Sequence, residues 1–196
     1  MPRVLDLFII ILFCPIIILL ISIISILSLI FQGRGVFFKQ DRIGMSEKIF
    51  KLYKFRTMIK DSQKTGTGLF SYSDDPRVTK FGKILRLSSL DEIPQLYNIL
   101  IGDMSIVGPR PAVVGELDFE KNLPKNYKDR FKMKPGITGL AQINGRNNLN
   151  WSQKIEYDLK YINYPNFKRL LVSIYIIAYT PFYLLNFESI IEKNDK

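Results

Sequence analysis

The strongest hydrophobic pattern in the chain lies close to its N-terminus. From Leu7 to Phe31 there are 25 consecutive residues without a charged side chain. A helix of that length reaches about 38 Å at about 1.5 Å per residue, enough to cross a hydrocarbon core of about 30 Å. The run is longer than the core of a signal peptide, and no small-x-small cleavage site follows it. The pattern therefore predicts a helix inserted in a membrane.

Two features of this segment argue against a simple span. Pro15 removes a backbone donor and clashes with the preceding turn, so we expect it to break or kink the helix. Basic residues lie on both sides of the run, namely Arg3 before it and Arg34, Lys39 and Arg42 after it. The positive-inside rule places both flanks in the cytoplasm, as a re-entrant hairpin would. The residues alone leave a re-entrant hairpin and a spanning helix as alternatives.

A second apolar stretch, Leu170–Phe187, has 18 residues without charge and contains Pro181. Tyr175, Tyr179 and Tyr183 recur every four residues within it, which gives one helix face an aromatic stripe. Tyrosine favours the boundary between membrane and water. The pattern predicts a helix lying at the cytoplasmic membrane surface, and a buried helix of the globular part is the alternative.

The region between these stretches is polar and rich in loops. Val36–Phe38 and Ile49–Phe55 are predicted to be strands on either side of a turn at Gly44. Asp61–Asp75 is predicted to be a loop, and Asp118–Lys132 a charged, solvated stretch. These short segments indicate an α/β chain that is mostly helical with short strands.

Two helices are predicted in the middle of the chain. Phe81–Leu87 favours a short helix, and Pro94 fits the first turn of another because its missing N–H has no helical partner there. The second helix is expected to begin near Ile93 and to end at Gly102, since glycine commonly terminates helices.

Two adjacent carboxylates, Asp91 and Glu92, directly precede this second helix, and Arg86 and Arg110 lie on either side of them in sequence. The chain has no histidine, so acid–base or nucleophilic chemistry must use carboxylates, lysines, tyrosines or hydroxyls. Acidic residues also cap helices, which is the structural alternative for this pair. A helix N-terminus is equally an anion site, so the pair and its arginines indicate phosphate chemistry.

Two loops rich in glycine or proline carry further arginines. Residues 107–111 are predicted to be a rigid loop with Arg110, and residues 133–148 contain three glycines and Arg146. A net charge of +10 and a pI near 9.6 favour an anionic partner, which could be nucleic acid, lipid or a phosphorylated substrate. With no histidine and one cysteine, Cys14, neither a disulfide within the chain nor a Cys/His metal cluster can form, so any metal is expected to be oxygen-ligated Mg²⁺.

The chain resembles the small monotopic phosphoglycosyl transferases of the bacterial sugar transferase family. The matching strings are KLYKFRTM (51–58), DDPRVTKFGKILR (74–86), LSSLDEIPQLYNILIGDMSIVGPRP (87–111) and KPGITGLAQINGRN (134–147). The resemblance covers essentially the whole chain and corresponds to a minimal catalytic unit. It implies three parts: a re-entrant membrane helix-break-helix hairpin (1–33), a cytosolic catalytic domain (34–167) and an interfacial amphipathic helix and tail (168–196).

The resemblance also implies an activity. Members transfer a sugar-1-phosphate from a UDP-sugar to a polyprenyl phosphate such as undecaprenyl phosphate, with Mg²⁺, at the cytoplasmic face of the bacterial inner membrane. This reaction is the first membrane step of glycoconjugate synthesis. The sugar and the oligomeric state, including a homodimer, stay open.

By the same resemblance, Asp91 is expected to be the nucleophile that forms a covalent phosphosugar intermediate. Glu92 is expected to complete the dyad, and the two carboxylates together would bind the metal. Substrate contacts are expected from Arg56, Arg86, Pro109, Arg110, Pro111 and Arg146.

The chain departs from the family pattern at two places. The membrane helix carries Cys14–Pro15 where relatives usually have a Ser-Pro pair, and this pair occurs about one turn early. Residues 168–171 read Lys-Arg-Leu-Leu, where relatives often carry an aspartate. A supporting polar contact is therefore expected to be absent or supplied elsewhere, but neither change affects the acidic pair.

A membrane scaffold and a nucleic-acid-binding protein are the two alternative functions. A non-enzymatic membrane scaffold with the same fold would be expected to lack the acidic pair, and both carboxylates are present. A nucleic-acid-binding protein would carry basic residues interleaved with exposed aromatic residues, or a recognisable binding motif. The arginines lie instead in separate Pro/Gly loops, so no nucleic-acid partner is expected.

Overall fold

The apolar N-terminal run forms one long helix, α1 (Arg3–Gln32). In the computed structural model, which describes residues 1–62, 75–120 and 122–184, this helix continues through Pro15. The expected helix-break-helix is therefore wrong as secondary structure. Proline removes only the bond to the carbonyl of Ile11, and the helical bonds on either side persist. Among the described residues, α1 is the one helix long and apolar enough to cross a membrane, and only 11% of its apolar window is buried.

The N-terminal end of α1 is attached to the globular part by two charged residues. The guanidinium of Arg3 donates to the carbonyl of Leu100 at 2.8 Å. The buried carboxylate of Asp6 accepts hydrogen bonds from the Ser105 hydroxyl and from the backbone N–H of Ile106, both at 2.9 Å. These bonds satisfy a carboxylate that would otherwise be buried in an apolar helix.

The C-terminal end of α1 is attached to the same globular part. The Gln32 amide donates to the carbonyl of Arg56 at 3.1 Å and accepts from the Thr79 hydroxyl at 3.0 Å. Between the two ends, Ile10 and Ile24 are buried. The outward side of the helix is exposed and apolar, and it includes Val4, Phe8, Ile11, Leu12, Ile16, Leu19, Ile26 and Ile30.

A β-hairpin follows α1. Strands β1 (Phe37–Ile43) and β2 (Ile49–Phe55) pair antiparallel, with Phe37 opposite Phe55. A 3-10 turn, Met45–Glu47, connects them after Gly44. The predicted strands are confirmed, and β1 extends further along the chain than the hydrophobic pattern indicated.

The two predicted middle helices are also confirmed, as α2 (Lys80–Leu87) and α3 (Gln95–Ile101). A 3-10 turn, Leu90–Glu92, lies between them, and α3 ends at Gly102 in the left-handed conformation (φ 96°). Residues 63–74 of the predicted loop lie outside the described residues.

A second sheet, three α-helices and three 3-10 helices (Glu116–Phe119, Tyr127–Lys132 and Arg146–Asn148) follow in the described chain. Strand β3 (Ser105–Val107) pairs parallel with β4 (Gly136–Thr138). The α-helices are α4 (Leu140–Ile143), α5 (Trp151–Ile162) and α6 (Asn166–Leu184). The two strands approach so closely that a Cβ at Gly136 would lie 2.1 Å from the backbone nitrogen of Gly108. No larger residue fits at that crossing.

Helix α6 covers most of the predicted C-terminal stretch and carries apolar residues such as Leu171 and Ile174 on its exposed side, so its amphipathic character at the membrane surface stays a prediction. Ser173 and Ile176 are buried on one side, while Tyr175 and Tyr179 stack on each other and are exposed. The helix begins at Asn166, so the boundary expected between residues 167 and 168 falls inside it. Residues 185–196 of the expected tail lie outside the described residues.

The main hydrophobic core joins elements from all parts of the chain. It is built around the buried residues Ile10, Leu52, Ile99, Met104, Val107, Ile143, Tyr161 and Ile176. A second cluster contains Ala112, Leu117, Phe131, Trp151 and Ile155. The expectation that residues 118–132 are solvated is wrong at their end, because Arg130 and Phe131 are buried in or beside this second cluster.

A fully buried amide joins β2 to α3. The side chain of Asn98 accepts from the backbone N–H of Tyr53 at 3.0 Å and donates to the carbonyl of Lys51 at 2.7 Å. It thereby satisfies two backbone groups of β2 from a neighbouring helix. Since α3 directly follows the 3-10 turn, this bridge sets the position of β2 relative to that turn.

We expect Asn98→Leu to lower the free energy of unfolding by about 1–3 kcal/mol, because two partly buried backbone groups lose their partners. Thermal and denaturant unfolding in detergent measure this loss, and amide exchange should rise at residues 51–53. Asn144→Ala removes an exposed amide that bonds only within its own turn, so it should have little effect. Equal losses from the two substitutions would contradict the bridging role of Asn98.

Candidate active site

The acidic pair lies on the 3-10 turn that separates α2 from α3. Ser89 begins this turn in the left-handed conformation (φ 55°), which is uncommon for a residue with a side chain. Asp91 and Glu92 are both largely buried, with 8% and 7% of their surfaces exposed. Buried carboxylates need charged or hydrogen-bonding partners, and these two have very different surroundings.

Glu92 lies among three cationic side chains. Its Oε1 accepts hydrogen bonds from Lys54 Nζ at 2.9 Å and from Arg110 Nη2 at 3.1 Å. Arg146 Nη2 lies 3.9 Å from the same oxygen. Burial alone would raise the pKa of Glu92, but these positive charges hold it well below its usual range. Glu92 is therefore ionised, with all three cations gathered around its Oε1.

Among the described residues, Asp91 has one ion-pair partner and no hydrogen-bond donor. Lys54 Nζ lies 3.9 Å from its Oδ2, and no side chain in the described part of the chain donates a hydrogen bond to it. Burial raises the pKa of Asp91, and the negative charge of Glu92 adds to this effect. The dyad is thus asymmetric, with Glu92 held in place and the Asp91 carboxylate left for another partner.

Arg110 reaches the dyad from the loop after β3. Pro109 and Pro111 flank it, and the loop is held to β4 by a 2.9 Å bond from the N–H of Gly136 to the carbonyl of Pro109. The charge of Glu92 raises the pKa of Arg110. Pro109 and Pro111 thus stiffen the segment that carries the guanidinium, and their contact with substrate stays a prediction.

Arg146 and Arg86 approach from two other directions. Arg146 follows α4 and donates to the Ser89 hydroxyl at 3.2 Å, directly beside the turn. Arg86 lies in the last turn of α2 and donates to the Thr57 hydroxyl at 2.9 Å. Its charge lowers the pKa of Asp91, so it also acts on the dyad.

Arg56 is not brought to this cluster. Its guanidinium donates to the carbonyls of Gln32 and Gly33 at the end of α1. Unpaired carbonyls at a helix C-terminus are natural partners for arginine. The structure therefore places Arg56 in the attachment of α1, and its contact with substrate stays a prediction.

Lys54 is the residue of the site that the sequence analysis missed. It lies on β2 two positions after the buried Leu52, so both side chains are on the same face of the strand. That alternation, in the string KLYKF, is the signal that a lysine faces inward. Burial lowers the pKa of Lys54, and the charges of Glu92 and Asp91 oppose this change.

The residues at 168–171 lie away from the dyad contacts. Lys168 Nζ lies over the ring of Tyr164 at 4.6 Å, and Arg169 donates to the carbonyl of Ile162 at 3.1 Å. Both contacts hold the connection between α5 and α6. The dyad receives its support from Lys54, Arg110 and Arg146 instead.

Asp91 and Glu92 are the oxygen donors available for a metal. The described residues contain no group of three or more His, Cys, Asp or Glu side chains that could hold one. Mg²⁺ commonly takes one or two protein carboxylates and completes its shell with water and substrate phosphates. The carboxylate of Asp91, with no donor of its own, fits that arrangement once a phosphorylated substrate is bound.

A buried acidic pair among lysine and arginine, in a domain attached to a long apolar helix, defines a site for phosphate chemistry. The chain belongs to the bacterial sugar transferase family, whose profile matches residues 1–186. The dyad and all of its cationic partners fall within the matched region.

Three relatives illustrate the similarity. Exopolysaccharide production protein ExoY of Rhizobium meliloti is 35% identical over 82% of this chain and 75% of its own length. The uncharacterized sugar transferase EpsL of Bacillus subtilis is 47% identical over 67% of this chain and 62% of its own length. The UDP-glucose:undecaprenyl-phosphate glucose-1-phosphate transferase of Escherichia coli is 47% identical over 65% of this chain. The aligned region spans only 28% of that longer protein.

We expect Lys54→Met to raise the pKa of both Asp91 and Glu92, because it removes the cation that both carboxylates share. Carbodiimide labels protonated carboxyl groups, so labelling of peptide 87–104 should persist to higher pH in this variant. Lys51→Met removes an exposed lysine on the same strand that pairs with Asp41, and it should leave the profile unchanged. Identical labelling profiles for wild type and Lys54→Met would contradict the assigned electrostatics.

Proposed function

We propose that this protein transfers a sugar-1-phosphate from a UDP-sugar to a polyprenyl phosphate such as undecaprenyl phosphate. The products are a polyprenyl diphosphosugar and UMP. The observation that carries the proposal is the asymmetric dyad, in which Asp91 has no hydrogen-bond donor among the described residues while Glu92 binds Lys54 and Arg110. The activity in the name of the E. coli relative supports the substrate class.

The chemistry proceeds in two displacements. A carboxylate oxygen of Asp91 attacks the β-phosphorus of the UDP-sugar, and the bond from that phosphorus to the bridging oxygen breaks, which releases UMP. The phosphosugar is now an acyl phosphate on Asp91. An oxygen of the polyprenyl phosphate then attacks the same phosphorus, and the acyl phosphate bond breaks to regenerate the carboxylate. A covalent intermediate divides one difficult displacement into two easier ones.

The cations around the dyad are suited to a diphosphate. Arg110 and Arg146 approach Glu92 from separate loops, so a diphosphate beside the dyad can be contacted from two sides. Arginine presents a planar pair of donors that matches phosphate oxygens. Glu92 keeps these guanidiniums and Lys54 positioned before the substrate arrives.

Asp91 must be ionised to act as a nucleophile. Burial raises its pKa, but the positive charges of Lys54, Arg86 and Arg146 lower it. The resulting carboxylate is poorly solvated, and a poorly solvated anion is a better nucleophile than one surrounded by donors.

Mg²⁺ is part of this proposal. Asp91 and Glu92 would hold the ion together with the donor diphosphate, and the ion would neutralise negative charge on the phosphates. The protein side chains around the dyad supply the remaining positive charge.

We also propose that both ends of α1 lie on the cytoplasmic face of the bacterial inner membrane. A spanning helix would place its two ends on opposite sides of a hydrocarbon core of about 30 Å. Here Asp6 and Gln32, near opposite ends of α1, both bond to the same globular part. The exposed apolar face of α1 and the tyrosine face of α6 then contact lipid, which brings the dyad towards a headgroup phosphate.

We expect Asp91→Asn to reduce UMP release at least about a thousandfold and to abolish the covalent adduct, while membrane association stays intact. The assay uses a panel of UDP-sugars with undecaprenyl phosphate, in Mg²⁺ and in EDTA. Mass spectrometry after acid quench detects the adduct. Asp41→Asn makes the same change at an exposed ion pair and should retain full activity. Retained turnover in Asp91→Asn would remove Asp91 as the nucleophile.

The membrane proposal predicts that both ends of α1 label from one side. Cysteines replace Val4 or Arg34 in a Cys14→Ala background, and an impermeant maleimide is added to inverted or right-side-out vesicles. Lys128→Cys, at an exposed position of the globular part, marks its side of the membrane. Both test positions should follow the marker. Labelling of Val4→Cys and Arg34→Cys from opposite sides would establish a spanning helix.

A further inference from the structure

Two arginines outside the dyad, the buried Arg130 and the half-buried Arg42, hold the backbone of the Arg110 loop. Arg130 Nη2 donates to the carbonyl of Arg110 at 2.7 Å. Arg42 Nη1 donates to the carbonyl of Pro111 at 2.8 Å. Two successive peptide carbonyls of this loop are therefore fixed by charged donors.

The composition of the loop explains why the arginines bind its carbonyls. Pro109 and Pro111 have no backbone N–H, so the residues on either side of Arg110 cannot donate hydrogen bonds. The loop must be held through its acceptors. A guanidinium satisfies this need better than a neutral donor because charge-assisted hydrogen bonds are shorter and stronger.

Arg130 is itself fixed from α5. Its Nε and Nη2 donate to Asp158 Oδ2 at 3.1 and 2.8 Å, and its guanidinium lies 4.9 Å from the ring centre of Trp151. Both charged side chains are only 2% exposed. Burial raises the pKa of Asp158 to about 6, so the carboxylate is ionised at pH 7.5.

A buried ion pair of this kind contributes little to stability, because desolvation of both charges offsets their attraction. Its geometric effect is more direct. Asp158 orients Arg130, Arg130 holds the Arg110 carbonyl, and the Arg110 side chain reaches Glu92 at 3.1 Å. A continuous chain of polar contacts thus connects α5 to the dyad.

We propose that Arg130 and Asp158 are positioning residues that set the Arg110 guanidinium for the donor diphosphate. The inference rests on the proposed function, in which Arg110 contacts that group. Neither residue touches the dyad, and both act through the backbone of the loop. A purely structural ion pair would instead stabilise the whole fold and leave Arg110 no more affected than any other residue.

A double-mutant cycle separates these two roles. The affinity for UDP is measured by calorimetry at pH 7.5 for wild type, Asp158→Asn, Arg110→Lys and the double variant. We expect Asp158→Asn to weaken UDP binding about tenfold alone, and less than about twofold when Arg110 is already replaced. Asp129→Asn changes an exposed carboxylate next to Arg130 and should not alter binding. If Asp158→Asn weakened UDP binding by the same factor with Arg110 and with Lys at position 110, the proposal would be overturned.

Amide hydrogen exchange tests the same idea without any substrate. In Asp158→Asn, exchange should rise in peptide 107–113 and stay unchanged in β1, β2 and α3. A uniform rise across the protein would show a structural role only. If wild type neither binds UDP nor releases UMP, the proposed function fails, and the exchange pattern still decides the positioning role.

A second variant tests the proposal if Asp158→Asn does not fold. Arg130→Lys keeps the charge beside Asp158 but lacks the planar fork needed to contact Asp158 and the Arg110 carbonyl together. We expect the same local rise in exchange at 107–113. Wild-type exchange in this variant would overturn the proposal.

Discussion

The structure depends on the solvation of one buried carboxylate, Glu92. An ionised carboxylate removed from water is stabilised only if cations and donors replace the solvent. Lys54 comes from β2, Arg110 from the loop after β3, and Arg146 from the turn after α4. Three segments far apart in sequence therefore meet at one side chain. Asp91, next to it, lies near the same positive charges but has no hydrogen-bond donor in the described part of the chain, and this difference makes the pair chemically useful.

The rest of the fold holds these three segments in place. Asn98 connects β2 to the helix that follows the dyad, and the close backbone contact of Gly108 with Gly136 fixes the start of the Arg110 loop. Arg130 then holds the Arg110 loop, which follows β3. The same globular part binds α1 near both of its ends. The globular part thus both holds the charged side chains around Glu92 and binds the apolar helix α1.

Local sequence patterns predicted much of this arrangement. The hairpin strands, the helices before and after the dyad, and the end of α3 at Gly102 follow from alternation, proline and glycine within a few neighbouring residues. Asp91 and Glu92 are recognisable as an adjacent acidic pair before a helix. Arg110 and Arg146 are recognisable because they lie in loops rich in proline or glycine. Arg56 shows the limit of the same reasoning, since an arginine in a matching string can also bond the carbonyls at the end of a helix.

The sequence by itself determined the element types, the apolar anchor and the presence of an acidic pair among arginines, because each depends on short-range pattern. Only the tertiary structure decided that Lys54 contacts Glu92 across 38 residues, that Arg130 is buried on Asp158, and that α1 continues through Pro15. The physical reason is that burial and charge pairing are set by neighbours in space. From sequence alone a lysine or arginine is expected to be exposed to solvent. Only the fold shows which carboxylate or carbonyl lies beside it.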